Sequence, residues 1–244
     1  MLPPFASSMT HYSPRVTPPR VYHTVMADSD RTTTHPRLAA YNEMRDFAVT
    51  PEPAGEGAAA GQCLRFVVQK HDASQLHYDF RLEIDGVLAS WSVPKGPSLN
   101  PAERRLAMQT EDHPLAYADF EGHIPEGQYG AGDVIIWDRG CYAPQDKSLQ
   151  RIPPPEADAA VLAGLENGEI KFELEGEKLR GSWALVKMKG RQENAWLLIK
   201  HNDAYADREH PVSEQQQSVV SGRLLPRDQG KPSTAQRRAA KRAT

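Results

Sequence analysis

Among its 244 residues the chain has no apolar run approaching 18, so no membrane-crossing helix is expected. Cysteine is scarce: Cys63 and Cys141 are the only two, with no CxxC pair and no framework spacing. That excludes a disulfide-stapled secreted scaffold. It leads instead to an expected reducing, cytoplasmic setting, with both cysteines acting as small buried apolar residues. The opening MLPPFASSMT has no basic stretch followed by an apolar one, so a secretory signal is not expected. Strand–helix–strand alternation is also missing, which excludes a Rossmann-type sheet. Gly127, Gly130 and Gly132 precede a strand rather than a helix, so they are not a dinucleotide fingerprint.

Twenty prolines and a mean hydropathy of −0.62 place much of the chain outside any core. Residues 1–40, rich in Pro, Ser, Thr and His, read as a disordered extension. Residues 209–244 read as a disordered basic tail. Its last stretch, 223–244, holds seven Lys/Arg against Asp228 alone, a net +6 within an overall −3. Such a tail suits salt-sensitive contact with nucleic acid, or simply keeps the protein in solution. Between them, 41–208 is expected to form one compact domain.

That domain reads as short strands divided by turns: CLRFVVQK, LHYDFRLEI, VLASWSV, RLAMQT, VIIWDRG, IKFELEG, GSWALVKM and NAWLLIKH. Asp85-Gly86 is a strong hairpin signal. AAVLAGLENG is the one short helix, stopped by Gly168, and 142–158 reads as an inserted loop. Seven or eight strands at even spacing predict a mainly β protein, an antiparallel barrel or sandwich with one or two short helices. Trp91, Trp137, Trp183 and Trp196 fall at strand positions and are expected in its core, although base stacking is another use for such a ring.

One strand stands apart. In LHYDFRLE, Leu76, Tyr78, Phe80 and Leu82 share one face; His77, Asp79, Arg81 and Glu83 share the other, about 7 Å between neighbours. His71 lies just upstream. Alternating charges on a solvated strand face would explain the pattern without chemistry. Two imidazoles and a carboxylate also make a mixed N/O set for a divalent transition metal, and the arginine suits phosphate.

With those residues in view, the chain resembles the 3′-phosphoesterase module of bacterial DNA ligase D, in a free-standing form. YNEMRDFAVTPEPAG, HDASQLHYDFRLE, WSVPKGPS, EDHPLAY, PEGQYGAGDVIIWDRG, GEKLRGSWALVKM and WLLIKHND occur in the family's order, across about 41–207. No lysine in a KxDG context and no polymerase module accompany them. Met44 stands where a basic residue is common, and the 142–158 loop is longer than usual, which bears on substrate preference.

The resemblance implies a manganese-dependent enzyme on a compact β-barrel that removes a 3′-terminal ribonucleoside, then a 3′-phosphate, from a primer strand. It assigns the metal to His71, His77 and Asp79, and the surroundings of the phosphate to Arg81, Lys95, Arg105, His113 and Tyr117. Arg45, Asp46 and Glu52 match a further substrate-binding set. Implied partners are DNA primer–template 3′ ends, a DNA ligase and end-binding repair proteins, and no membrane.

The donor set itself also accepts Zn²⁺, Co²⁺ or Fe²⁺. In the loop between Asp112 and Pro114, His113 reads either as a solvent-exposed histidine or as a group that stabilises phosphate charge or protonates a leaving oxygen, and Tyr117 as a hydrogen-bond donor to phosphate. From spacing alone Lys95 reads as an exposed loop residue rather than a phosphate ligand. Two other functions fit parts of the pattern: a non-haem Fe(II) oxygenase built on the same triad, and a non-catalytic DNA-end-binding subunit using the basic tail.

Overall fold

The computed structural model describes residues 35–55 and 63–230. Residues 1–34 and 231–244 of the expected disordered ends lie outside the described residues. The alternation of LHYDFRLEI gives β2, Leu76–Ile84, preceded by β1, Leu64–Asp72, and followed by β3, Val87–Val93. Asp85 and Gly86 join β2 to β3 with φ of 50° and 77°. Both angles are positive, as a two-residue hairpin turn matched to strand twist requires, and both residue types tolerate that region.

The remaining strands are β4 (Arg104–Gln109), the two-residue β5 (His113–Pro114), β6 (Gly122–Ile124), β7 (Gly132–Gln145), β8 (Glu169–Gly176), β9 (Arg180–Lys187) and β10 (Ala195–Lys200). Their order is β1-β2-β3-β4-β10-β9-β8-β7, all neighbours antiparallel, and β7 pairs back onto β1. The result is a closed eight-stranded barrel, which leaves no unpaired edge. β5 and β6 are side pairings on β3 and β7. The expected mainly β barrel is therefore present. Among the described residues no helix is long and apolar enough to cross a membrane.

Phe66, Val68, Phe80, Leu82 and the four tryptophans fill the barrel interior. A smaller apolar cluster of Tyr41, Val67, Leu88, Leu115, Tyr117 and Ile136 lies on the opposite face of β1, β3 and β7. Helix α1 (Ala39–Glu43) and the 3-10 turn Leu115–Asp119 supply its outer half. Both faces of β1 and β2 are consequently buried.

Four expectations are corrected. Cys63 and Cys141 are not separate apolar fillers but are joined in a disulfide. Arg65 pairs with Cys141 in the β1–β7 ladder, which brings residues 78 apart in sequence within bonding reach. The argument for a reducing compartment from isolated cysteines therefore fails. The stretch 142–158 is not one loop: β7 runs to Gln145 and helix α2 begins at Pro154. Pro154 and Pro155 open that helix because their fixed φ suits a first turn, whose N–H groups have no partner anyway. The helix ends at Asn167, with Gly168 left-handed at φ 78° as expected.

His35 is no part of an unstructured start, since its Nδ1 accepts from the Arg37 amide at the head of the 3-10 turn Pro36–Leu38. Beyond 208, the tail stays on the barrel through residue 228. Val212 enters the core, Val219 N donates to Ile136 O at 3.0 Å, and buried Asp228 pairs with buried Lys70. Arg227 reaches Asp72 at 2.7 Å, so ion pairs flank His71 on both sides in sequence.

Candidate metal centre

The β1–β2 register sets His71 directly opposite His77, and Asp79 lies two residues further along the same face. His71 Nδ1 is 3.4 Å from Asp79 Oδ2, and His77 Nε2 is 3.4 Å from Asp79 Oδ1. Ligand atoms of the three lie within 4.8 Å of one another. Each imidazole holds a backbone carbonyl with its other nitrogen: His71 Nε2 with Gly130 O at 2.8 Å, His77 Nδ1 with Gln75 O at 2.9 Å. A carbonyl only accepts, so these nitrogens carry the protons and the lone pairs of His71 Nδ1 and His77 Nε2 face the carboxylate. That arrangement of ligands oriented by a hydrogen-bonded outer layer fits a divalent metal.

The carbonyl of Gly130 reaches His71 because the Gly-rich loop runs hard against the end of β1. A Cβ at Gly132, where φ is 142°, would lie 2.2 Å from the Asp72 carbonyl oxygen. Burial alone would push the Asp79 carboxyl up, but the adjacent Arg81 guanidinium holds it well below the usual carboxylate range. Asp79 is therefore an anion at neutral pH.

Arg81 is nearly fully buried. Its Nε donates to Gln69 Oε1 at 2.8 Å, Nη1 to Ser90 Oγ at 2.8 Å and Nη2 to Asp79 Oδ2 at 3.1 Å. Three of five donors are thus used, which leaves two for a ligand. Gln69, wholly buried, is itself fixed by donating to the carbonyls of Tyr117 and Phe120 at 3.0 and 2.9 Å.

Around the same cavity, of about 260 Å³, stand Arg45, Glu52, Glu111, His113 and Tyr117. Glu52 Oε1 accepts from Arg45 Nε and from the Tyr117 hydroxyl, each at 2.9 Å. Arg45 also reaches Glu111 Oε1 at 3.3 Å and His113 Nε2 at 3.3 Å. The His113 Nδ1 faces the Glu111 carbonyl at 2.9 Å, so Nε2 is the acceptor. Burial, then Arg81 and Arg45, hold the His113 imidazole well below its ordinary value, so it is neutral at pH 7.

Three carboxylates (Glu52, Asp79, Glu111) face two guanidiniums (Arg45, Arg81) in this cavity, a formal −1. Such a site does not favour an anion until a dication reverses the sign.

Eight of the eleven expected residues come together here: His71, His77, Asp79, Arg81, His113, Tyr117, Arg45 and Glu52. Three do not. Asp46 is exposed and forms a turn, accepting from Ala48 N at 3.0 Å. Lys95 is exposed just past β3. Arg105 is bonded to Glu103 and lines a different hollow beside His210. Ser92, which lines the cavity, pairs with Met108; Arg105 therefore lies three residues along β4, about 10 Å away, and Lys95 sits in the turn that Gly96 N closes onto Val93 O at 3.0 Å.

Sequence reading missed Gln69, Ser90, Glu111 and Tyr129. Gln69 had a signal, since it alternates with His71 on β1. Ser90 had one as well, since a two-residue turn at Asp85-Gly86 sets it opposite Arg81; Glu111 had none, because it meets Arg45 only through tertiary contact.

Fold and cavity together define a barrel-borne centre with two histidines and one aspartate beside a pair of buried guanidiniums. Over residues 69–187 the chain matches the DNA ligase D 3′-phosphoesterase domain, and it belongs to that family. It is 52% identical over 213 residues to the multifunctional non-homologous end joining protein LigD of Pseudomonas aeruginosa, covering 84% of this chain and 24% of the relative. The corresponding protein of Mycolicibacterium smegmatis is 45% identical over 168 residues, 68% of this chain and 21% of the relative. The LigD of Mycobacterium tuberculosis is 44% identical over 162 residues, 66% and 19%. The chain thus spans about a quarter or less of the length of these relatives.

Proposed function

We propose that this protein is a manganese-dependent phosphoesterase that heals DNA 3′ ends, removing a 3′-terminal ribonucleoside and then the 3′-phosphate to leave a 3′-hydroxyl. One observation carries the reading. A buried guanidinium with two spare donors is hydrogen-bonded to the same aspartate that faces both histidine lone pairs, inside one cavity. His71, His77 and Asp79 hold the ion, and its chemistry is that of a Lewis acid on a phosphoryl oxygen. Arg81 and Arg45 neutralise the remaining phosphate charge, and the Tyr117 hydroxyl donates to a phosphate oxygen once Glu52 releases it. Neutral His113 gains proton affinity as a phosphate anion approaches, which turns it into a donor for the leaving oxygen.

The buried arginines favour this reading over oxygen activation on the same triad, because two guanidiniums beside the metal ligands suit a phosphate. We assign Lys95 and Arg105 to the nucleic acid leading away from the cavity, and Asp46 to holding the turn between Arg45 and Glu52. What the relatives are called supports a role in end joining, and we propose a DNA ligase and end-binding proteins as partners in it. The test is incubation with Mn²⁺ and a labelled primer–template ending in one ribonucleotide. The expected products are a 3′-phosphate end followed by a 3′-hydroxyl end. An unchanged primer with Mn²⁺, Co²⁺ and Zn²⁺ alike overturns the proposal.

A further inference from the structure

The cavity is rich in groups for a metal and a phosphate, yet offers little to hold a nucleoside. Its aromatic residues differ in this respect. Tyr117 is 2% exposed and its ring packs between Tyr41, His113 and Phe120. Tyr129 is 50% exposed, lines the same cavity, and has the Arg45 guanidinium 5.6 Å from its ring centre. A single exposed aromatic is ordinary on a protein surface. This one is on a loop fixed at several points: Gln128 N donates to Pro125 O at 3.2 Å, Ala131 N to Gln128 O at 3.1 Å, and Gly130 O holds His71. The residue beside Tyr129 therefore orients a metal ligand, while Tyr129 itself is a half-exposed ring at the rim of the cavity that holds Arg45 and Arg81.

We propose that Tyr129 is the stacking platform for a nucleobase adjoining the phosphorus at which the site acts, with Arg45 beside it supplying positive charge. The proposal deepens the phosphoesterase reading and rests on it. Stacking is tolerant of base identity because every base has a π face, so the platform serves any terminal sequence. It also favours a nucleic-acid end over inorganic or small phosphate esters, which have no base to stack.

The experiment compares the parent protein with Tyr129→Ala, Tyr129→Phe and Tyr129→Leu, on primer–templates with a normal or an abasic residue on either side of the scissile phosphate. Tyr129→Ala is expected to raise KM roughly 5- to 150-fold, the span of about 1–3 kcal/mol per stacked base, with kcat nearly kept. Tyr129→Phe should match the parent, and Tyr129→Leu should resemble Tyr129→Ala. The abasic substrate should penalise the parent and leave Tyr129→Ala unaffected. Metal affinity should be equal in all four proteins, which separates lost stacking from a disturbed Gly130–His71 contact. An Ala variant with the parent's KM, or one as sensitive to base removal as the parent, overturns the inference while leaving the phosphoesterase reading intact. A parent that cleaves no primer overturns that reading instead.

Discussion

The two faces of β1 and β2 are both buried, yet they are built on opposite principles. Inward, Phe66, Val68, Phe80 and Leu82 bury apolar surface that stabilises the fold directly. On the other face, Gln69, His71, Asp79 and Arg81 are buried to nearly the same extent. Burying those groups costs free energy, and the cost is tolerable only because each has a partner. The inner face can be explained by folding alone. The polar face cannot, and a guanidinium, a carboxylate and two imidazoles buried at one cavity are what the proposed metal centre requires.

Substitutions on each face should separate the two roles. The largest loss of stability is expected inside: Phe80→Ala should cost about 3–5 kcal/mol in urea unfolding, while folded protein keeps its Mn²⁺ affinity. On the other face, Arg81→Ala should lower phosphate removal about 10²–10³-fold in a protein that still folds by circular dichroism. Near-normal turnover there would remove Arg81 from the mechanism. Next comes the cross-link at the barrel seam. Replacing Cys63 and Cys141 by serine opens a 78-residue loop and should cost roughly 2–4 kcal/mol in thermal unfolding, without changing turnover in the folded protein.

The smallest effect is one of pH. His113 has a folded-state pKa depressed below its ordinary 6.5, so its contribution to stability is complete above 6.5. As pH falls through that value the unfolded chain binds the proton first, and stability is lost towards the folded-state value. Metal-free parent should therefore lose more stability than His113→Gln between neutrality and about pH 5, measured by urea midpoints. Equal losses would contradict the neutral assignment of His113.

Much of the polar face was legible because a strand alternates. The spacing of His77, Asp79 and Arg81 placed them together, and Asp85-Gly86 set the hairpin. What was not legible depends on long-range closure. Cys63 meets Cys141 only because β7 returns to β1, and Lys70 meets Asp228 across 158 residues. The start of α2 was misread for a local reason, since prolines break helices in the middle but open them at the first turn. Lys95 and Arg105 show the limit of matching by motif: their positions fit a family pattern, but the turn after β3 and the β3–β4 register leave them outside the cavity lining.

In the proposed centre His71, His77 and Asp79 hold one divalent ion. Titration of metal-free protein with Mn²⁺, beside Asp79→Asn, decides whether they do. One ion per parent chain is expected, with affinity in Asp79→Asn reduced by well over the roughly 10–100-fold typical of losing an outer hydrogen-bonding partner. Equal affinity in the two proteins, or no binding by the parent, would contradict it.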